Sequence, residues 1–209
     1  MSIADALRDL RIVTSRLQLR LADSSEWQTY AAAIAGRVVP PESTHFVGAW
    51  AQLVSPRFEQ EFVAARDRTL STCTRDRWGI ELGAFAGTQL VGQASLYARD
   101  WPVSREVITA SGVHPDRRAR GLGTEMRAAV LLLAFDVLGA NVAWSGASVD
   151  NVASNRISEK LGYELVGHET KRTGAGDVLF TRLRLAADAW IPSTAVRVAG
   201  DERVRALLR

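Results

Sequence analysis

A strand, a basic glycine-containing loop and a long helix follow one another between residues 105 and 138, and this order constrains the fold strongly. The strand reads REVITASGV and the loop reads HPDRRARGLGT. Apolar residues then recur every three or four positions, as a helix that covers a core requires: Leu122, Met126, Ala129, Val130, Leu133 and Val137. A strand that leads through a loop into a packed helix is typical of an α/β domain.

The remaining pattern predicts a mixed α/β domain, with the order β–α–α–β–β before the loop and its helix followed by β–α–β–β. Before the loop we expect strand 16–22, a capped helix ending near 35, helix 56–72, a hairpin turning at Gly87-Thr88 and a loop at RDWPVS. After the helix we expect strand 142–149, helix 152–161 and strands 163–169 and 178–185. Residues 1–190 form the expected domain, and the pattern gives no role to residues 191–209.

Composition limits the classes of partner. Basic residues outnumber acidic ones by only 26 to 23, and acids are interspersed among the arginines, which argues against a nucleic-acid-binding protein. No apolar run approaches the ~18–20 residues of a membrane span, and the N-terminus lacks an apolar signal segment. The single cysteine, Cys73, excludes an internal disulfide framework and favours the cytoplasm. The histidines are isolated in sequence, and no metal site is expected.

The loop between strand and helix has the chemistry of an anion site. The first N–H groups of a helix lack partners within the helix, and the helix dipole adds positive charge there. Gly121 and Gly123 allow the backbone to approach a phosphate closely. The loop has neither the Gly-Lys-Ser/Thr of a Walker loop nor the full glycine pattern of a dinucleotide fold. Taken alone, it is equally consistent with a surface turn whose arginines are solvated.

A second motif gives the loop its context. Arg118-x-x-Gly121-x-Gly123 after V-H-P resembles the coenzyme A pyrophosphate motif of the GNAT acyltransferase superfamily. DNVASNRISEKLGYELVG (150–167) and TSRLQLRLADSSEW (14–27) are similar to the RimJ/RimL-like branch of that superfamily. The resemblance implies an α/β fold with one central, mixed and twisted sheet of about seven strands. A parallel pair would splay apart within it, and about four helices would flank it.

The same resemblance implies an acyl-CoA co-substrate, acetyl-CoA foremost, without a metal. Backbone groups of the loop would hold the pyrophosphate, and β-strand groups and the next helix would hold the pantetheine. The implied CoA-binding residues are Gly112, Val113, Arg118, Ala119, Arg120, Gly121, Leu122, Gly123, Thr124, Asn151 and Ser154. For Asn151 a helix cap is an equally good interpretation, and one side chain can serve both roles.

The implied reaction is direct attack of an amine on the thioester. Many members use a tyrosine as general acid, and Ser158 stands at its place here, so that role does not transfer. Ser154 matches a serine of RimL-like enzymes and is a candidate to pass a proton to sulfur, or else only packs. Glu106 is a candidate base through water, or else an exposed charge at a strand end. Cys73 has no histidine partner in sequence and is interpreted as structural.

The acceptor site is the least defined. Trp50, Trp101 and Ser111 are its candidate residues, although burial in the core is the alternative for both indoles. Small residues in TASGV would widen the cleft for either a larger acyl group or a larger acceptor, and a succinyl-CoA-type enzyme is one alternative. A non-catalytic acyl-CoA-binding or regulatory module is another. The expected acceptor is a small-molecule amine or a protein N-terminus, with no nucleic-acid or membrane partner, and a homodimer is left open.

Overall fold

A computed structural model describes residues 2–38, 53–173, 176–192 and 195–209, and within them the strands form one sheet. Its spatial order is β7-β8-β6-β5-β4-β3-β2-β1-β9. The strands are β1 (Arg11–Val13), β2 (Gln18–Arg20), β3 (Trp78–Ala86), β4 (Gln89–Ala98), β5 (Glu106–Val113), β6 (Val142–Ser145), β7 (Glu164–Thr173), β8 (Gly176–Ala186) and β9 (Arg197–Ala199). The helices are α1 (Ile3–Leu7), α2 (Ser24–Ile34), α3 (Arg57–Ser71), α4 (Trp101–Ser104), α5 (Leu122–Leu132), α6 (Val152–Lys160) and α7 (Glu202–Leu208).

Local sequence explains the elements that the pattern predicted well. The Asp23 side chain accepts from the Glu26 N–H, and the Glu26 carboxylate accepts from the Asp23 N–H, so a capping box starts α2. The β3–β4 hairpin turns at Gly87, whose φ of 61° lies in the left-handed region that favours a residue without Cβ. α5 continues through a π-helical stretch, Leu133–Leu138, so the helical segment ends where the apolar stripe ends.

One pair of strands opens, and this positions the site. β5 and β6 run parallel and pair only through Glu106↔Val142, Val107↔Ala143 and Ile108↔Trp144, whereas the other strand pairs in the sheet are antiparallel. β5 continues to Val113, but β6 ends at Ser145. We call the gap between residues 109–113 and the chain that follows Ser145 the split. The predicted splayed parallel pair is confirmed.

The two faces of the sheet carry different helices. α5 packs against β4 and β5, and α6 packs against α5. On β5, Val107 and Thr109 turn to the α5 face and are buried. Ile108, which alternates with them, turns to the opposite face and is 51 % exposed. On that second face α3 packs against β3, and α2 packs against α3 and β4. The aromatic residues of these two helices form a cluster of their own: Trp27, Tyr30, Phe58 and Phe62.

Several sequence-based expectations are corrected. The described residues hold nine strands and seven α-helices, not about seven and about four. The expected strand 16–22 is the shorter β2, paired with an unpredicted β1, and β6 ends four residues before the predicted 149. The RDWPVS segment contains the short helix α4 instead of forming a loop, and β7 extends four residues beyond 169. Short strands and single-turn helices carry too few residues to show a period.

The segment after Trp190 belongs to the same core. β9 pairs antiparallel with β1 and forms an edge of the sheet. α7 packs against α1 and the π-helical stretch, and buries Val204 and Leu208. The Leu208 carbonyl accepts a hydrogen bond from the Trp101 indole. The C-terminal residues therefore close one end of the hydrophobic core.

Candidate active site

The loop before α5 presents main-chain donors that the protein does not use. After a 3₁₀ turn, Pro115–Arg117, the backbone turns left-handed at Ala119 (φ 60°) and at Gly121 (φ 76°), which caps α5. In the described part of the chain the N–H groups of residues 119–124 have no hydrogen-bond partner, whereas the Glu125 N–H reaches the Gly121 carbonyl. Such consecutive free donors at a helix N-terminus suit the oxygens of a pyrophosphate.

A buried carboxylate fixes this loop to the start of the sheet. Glu125 accepts from the Thr14 hydroxyl at 2.5 Å and from Arg16 Nε at 2.6 Å. Arg16 also donates to the Arg120 carbonyl at 2.8 Å, so it ties the loop to the segment between β1 and β2. The sequence offered no signal for Arg16, because more than a hundred residues separate it from Glu125.

Gly123 allows α5 to meet α6 and β5 at close range. A Cβ placed there would lie 2.8 Å from Ile157 Cδ1 and 3.4 Å from Val113 Cγ2. The distance to Ile157 is shorter than the closest approach of two non-bonded carbon atoms, so a side chain at position 123 would force Ile157 to move. The loop, the end of β5 and α6 thus converge at one corner of the split.

Two of the three loop arginines already contact the protein. Arg117 donates to the Gln89 side chain, and Arg118 donates to the Val38 carbonyl at 3.3 Å. The Arg120 side chain is exposed and has no partner among residues that the structure describes. The preformed part of this site is therefore the set of free backbone N–H groups at residues 119–124, and not the arginine side chains.

α6 places two candidate residues beside the split. Asn151 caps the helix, since its Oδ1 accepts from the Ser154 N–H at 3.1 Å. The cap interpretation of Asn151 is therefore correct, and its Nδ2 group has no partner within the described ranges. The Ser154 hydroxyl likewise has no partner there, and Ser158 lies one turn later, fully buried.

The exposed edge of β5 offers main-chain groups to the split. His114 N–H donates to the Val91 carbonyl at 2.9 Å, and Val113 lies opposite Gly92. Because main-chain groups of successive residues point to opposite edges of a strand, those of Ser111 and Val113 face the split. Those of Gly112 face β4 instead.

A cleft of 910 Å³ opens on the opposite face and reaches the split at Thr109, Ala110, Ser145 and Gly146. Glu106 lines it and accepts a hydrogen bond from the Trp144 indole at 2.8 Å. The Glu106 carboxylate therefore faces the cleft with a fixed orientation.

A buried polar cluster that the sequence did not reveal lies beside the cleft. Tyr97 donates to Glu81 at 2.8 Å, and Arg66 Nε lies 3.6 Å from the other Glu81 oxygen. Burial, reinforced by the Glu81 charge, raises the pKa of Tyr97 above its ordinary value. Burial lowers the pKa of Arg66 despite the Glu81 charge. Alternation along β3 and β4 predicts only that Glu81 and Tyr97 face the same side of the sheet. It does not predict that they contact each other and Arg66.

The other predicted residues are dispersed. Trp101 is fully buried and lies edge-on to Trp78 at 4.9 Å, so it is not available to contact an acceptor. Trp50 lies outside the described residues. The Ser111 side chain turns to the α5 face, away from the cleft, and bonds Arg127. Cys73 lines the cleft, but burial raises the pKa of its thiol, which disfavours the nucleophilic thiolate.

Neither a metal cluster nor a membrane span stands out in the part of the chain that the structure describes. No three histidine, cysteine or acidic side chains come together there as ligands. None of its helices has the length and apolar character needed to cross a bilayer.

Known proteins match both the sequence and the fold. The family described as "Acetyltransferase (GNAT) domain" matches residues 16–164. RimL, the ribosomal L7/L12 alpha-N-protein acetyltransferase in complex with coenzyme A, superposes with a TM-score of 0.69 at 16% identity, over 85% of this chain and 97% of that one. A GNAT-family acetyltransferase from Bacillus anthracis gives 0.64 at 13%, over 85% and 99%. Mutant forms of the spermidine/spermine N-acetyltransferase SpeG from Vibrio cholerae give 0.63 at 12%, over 83% and 95%.

Proposed function

Since the chain belongs to the GNAT acetyltransferase family and is an acyl-CoA-dependent N-acetyltransferase, we propose that it transfers an acyl group, foremost acetyl, to a primary amine by direct attack. The observation that carries the proposal is the run of unused N–H groups at residues 119–124, at the corner where the split opens. They offer a ready anion site beside a gap in the sheet. RimJ/RimL-like relatives are the branch that the motifs favour.

In this proposal the backbone of residues 118–124 holds the CoA pyrophosphate. The main-chain groups of Ser111 and Val113 accept the pantetheine arm as an added strand would. Asn151 contributes its free Nδ2 while its Oδ1 continues to cap α6. CoA supplies the activated thioester, and the chain supplies position and electrostatics.

The acceptor enters from the 910 Å³ cleft, on the other face of the sheet. Glu106 removes a proton from the amine, directly or through water, and its bond to the Trp144 indole fixes its orientation. The Val113 N–H stabilises the oxyanion, and this role is supported by the end of β5–β6 pairing before that point, which leaves the group without a strand partner. Ser154, with a free hydroxyl beside the split, relays a proton from solvent water to the leaving sulfur.

A second candidate, transfer of an acidic acyl group such as succinyl, is favoured by the cleft lining. Arg77, Arg99, Lys171 and Arg182 all border it, and Arg77 and Arg99 have no acidic partner among the residues described. A guanidinium of this kind would bind the terminal carboxylate of a dicarboxylic acyl group. The proposed acceptor is a small-molecule amine or a protein N-terminus. The proposal also includes a cytoplasmic location and formation of a homodimer.

A thiol-release assay tests the proposal. The protein is incubated with acetyl-, succinyl- or malonyl-CoA and a panel of small amines and peptides with free N-termini. We expect thiol release that requires an amine, with at least one donor and acceptor pair. Tight CoA binding without release for any pair would contradict the proposal and favour a non-catalytic CoA-binding module.

A further inference from the structure

Arg127, in the middle of α5, is buried among serine hydroxyls. Arg127 is only 2 % exposed to solvent. The guanidinium donates to Ser158 at 2.8 Å, to Ser111 at 3.0 Å and to Ser145 at 3.3 Å. These serines come from α6, β5 and the last position of β6, so the guanidinium closes the α5 side of the split.

No acid neutralises this cation within the described part of the chain. Arg127 takes part in none of its ion pairs, and its Nε has no hydrogen-bond partner. The other buried arginine, Arg66, has the Glu81 carboxylate at 3.6 Å. A buried cation without a counter-ion destabilises a fold, and an apolar side chain would fill the same space without that cost. The buried charge of Arg127 therefore lacks a compensating anion among the described residues, and a bound anionic group would supply one.

Burial lowers the pKa of Arg127, but a guanidinium remains protonated in proteins. The titratable group that interacts with it among the described residues is Tyr163, whose pKa burial raises to about 12. Tyr163 therefore stays neutral in the pH range where a thiol titrates and does not compensate the charge.

The position of Arg127 indicates which anion it serves. Ser111 lies on the segment of β5 that borders the split, and Ser158 is one turn after Ser154 on α6. We propose that Arg127, acting through Ser111 and Ser158, stabilises negative charge on the CoA sulfur as the thiolate leaves. This inference rests on the proposed function and makes Arg127 a positioning residue of the acyl-transfer site.

The step balances without a further reactant. The amine nitrogen forms a bond to the thioester carbon, and the carbon–sulfur bond breaks with its electron pair retained by sulfur. The amine proton passes to Glu106 or to water. Since Arg127 stabilises the thiolate, sulfur can leave before it is protonated, which reduces the need for the tyrosine that Ser158 replaces.

Binding measurements with CoA and desulfo-CoA test this inference separately from turnover. Desulfo-CoA keeps every phosphate contact but lacks the sulfur. Kd is measured for both across the pH range of the thiol, and the pKa of the bound thiol is followed by thiolate absorbance. The proteins are wild type, Arg127→Met, which removes the charge at similar length, and Arg127→Lys, which keeps it.

In wild type we expect a bound thiol with a pKa below that of free CoA. Arg127→Met should lower the preference for CoA over desulfo-CoA at high pH by roughly tenfold, the equivalent of one pKa unit. Arg127→Lys should retain most of the preference. Desulfo-CoA should bind wild type and Arg127→Met alike.

Three results would overturn the inference. The first is a wild-type thiol pKa equal to that of free CoA, which decides the matter even if Arg127→Met does not fold. The second is an unchanged preference in Arg127→Met. The third is an Arg127→Met protein that loses preference for succinyl- over acetyl-CoA while the pKa of its bound thiol stays as in wild type. That result would mean that the Arg127 guanidinium serves an acyl carboxylate and not the thiolate. Failure of wild type to bind both ligands would overturn the proposed function as well.

Discussion

Arg16 donates to the buried Glu125 carboxylate from Nε at 2.6 Å, although 109 residues separate them. The same guanidinium donates to the Arg120 carbonyl. The segment between β1 and β2 thereby holds the donor-rich loop in place.

Replacing Arg16 should weaken both the fold and the CoA site. Arg16→Met leaves Glu125 buried with Thr14 as its remaining side-chain partner, and we expect a loss of about 1–3 kcal/mol in the free energy of unfolding. CoA affinity should fall several-fold, as measured by calorimetry. Arg8→Met is the control, because Arg8 pairs only with the exposed Asp5. An Arg16→Met protein with wild-type affinity would show that the loop does not depend on this contact.

Glu106→Gln should affect the chemical step and not CoA binding. The amide can still accept from the Trp144 indole, so the local geometry is kept while the base is lost. We expect turnover to fall by about a hundredfold or more, in the range of general-base catalysis, with CoA Kd unchanged. Glu169→Gln alters another carboxylate of the cleft and should leave turnover near wild type. Equal activity of the Glu106 and Glu169 variants would remove Glu106 from the mechanism.

Ser154→Ala should likewise separate turnover from affinity. Its hydroxyl has no partner in the described residues, so its removal should not disturb α6. We expect turnover to fall by at least about tenfold while CoA affinity stays within twofold of wild type. Ser71→Ala, at the exposed end of α3, serves as the matched control. A purely packing role for Ser154 predicts instead no change in turnover.

Leu208→Ala tests whether the C-terminal helix belongs to the core. Leu208 is 1 % exposed, and truncation of a buried leucine costs about 2–5 kcal/mol. Urea unfolding should show that loss, with a smaller one for the half-buried Leu207→Ala. Equal, small losses for both variants would mean that α7 is not needed for stability.

The sequence predicted the site better where local chemistry controls the backbone. The capping box at Asp23 and the hairpin at Gly87 follow from cap and turn chemistry. The opening of β5 from β6 was expected only from the resemblance to the GNAT superfamily. The burial of Arg127 could not be predicted, because arginine is usually exposed and only the packing of α5 against β5, β6 and α6 encloses its guanidinium. The C-terminal β9 was missed because three residues show no alternation, and its pairing with β1 is a long-range contact.

The central claim is that the loop before α5 binds the CoA pyrophosphate, and calorimetric titration of CoA into Gly121→Asp tests it most directly. Gly121 has a φ of 76°, and aspartate there adds strain and a negative charge beside the free N–H groups. Gly139→Asp is the matched control, since Gly139 has the same φ of 76° at the far end of the helical segment that begins with α5. We expect Gly121→Asp to lose at least about a hundredfold in affinity, because opposed like charges cost several kcal/mol, while Gly139→Asp binds as wild type does. Wild-type CoA affinity in a folded Gly121→Asp protein would contradict the claim.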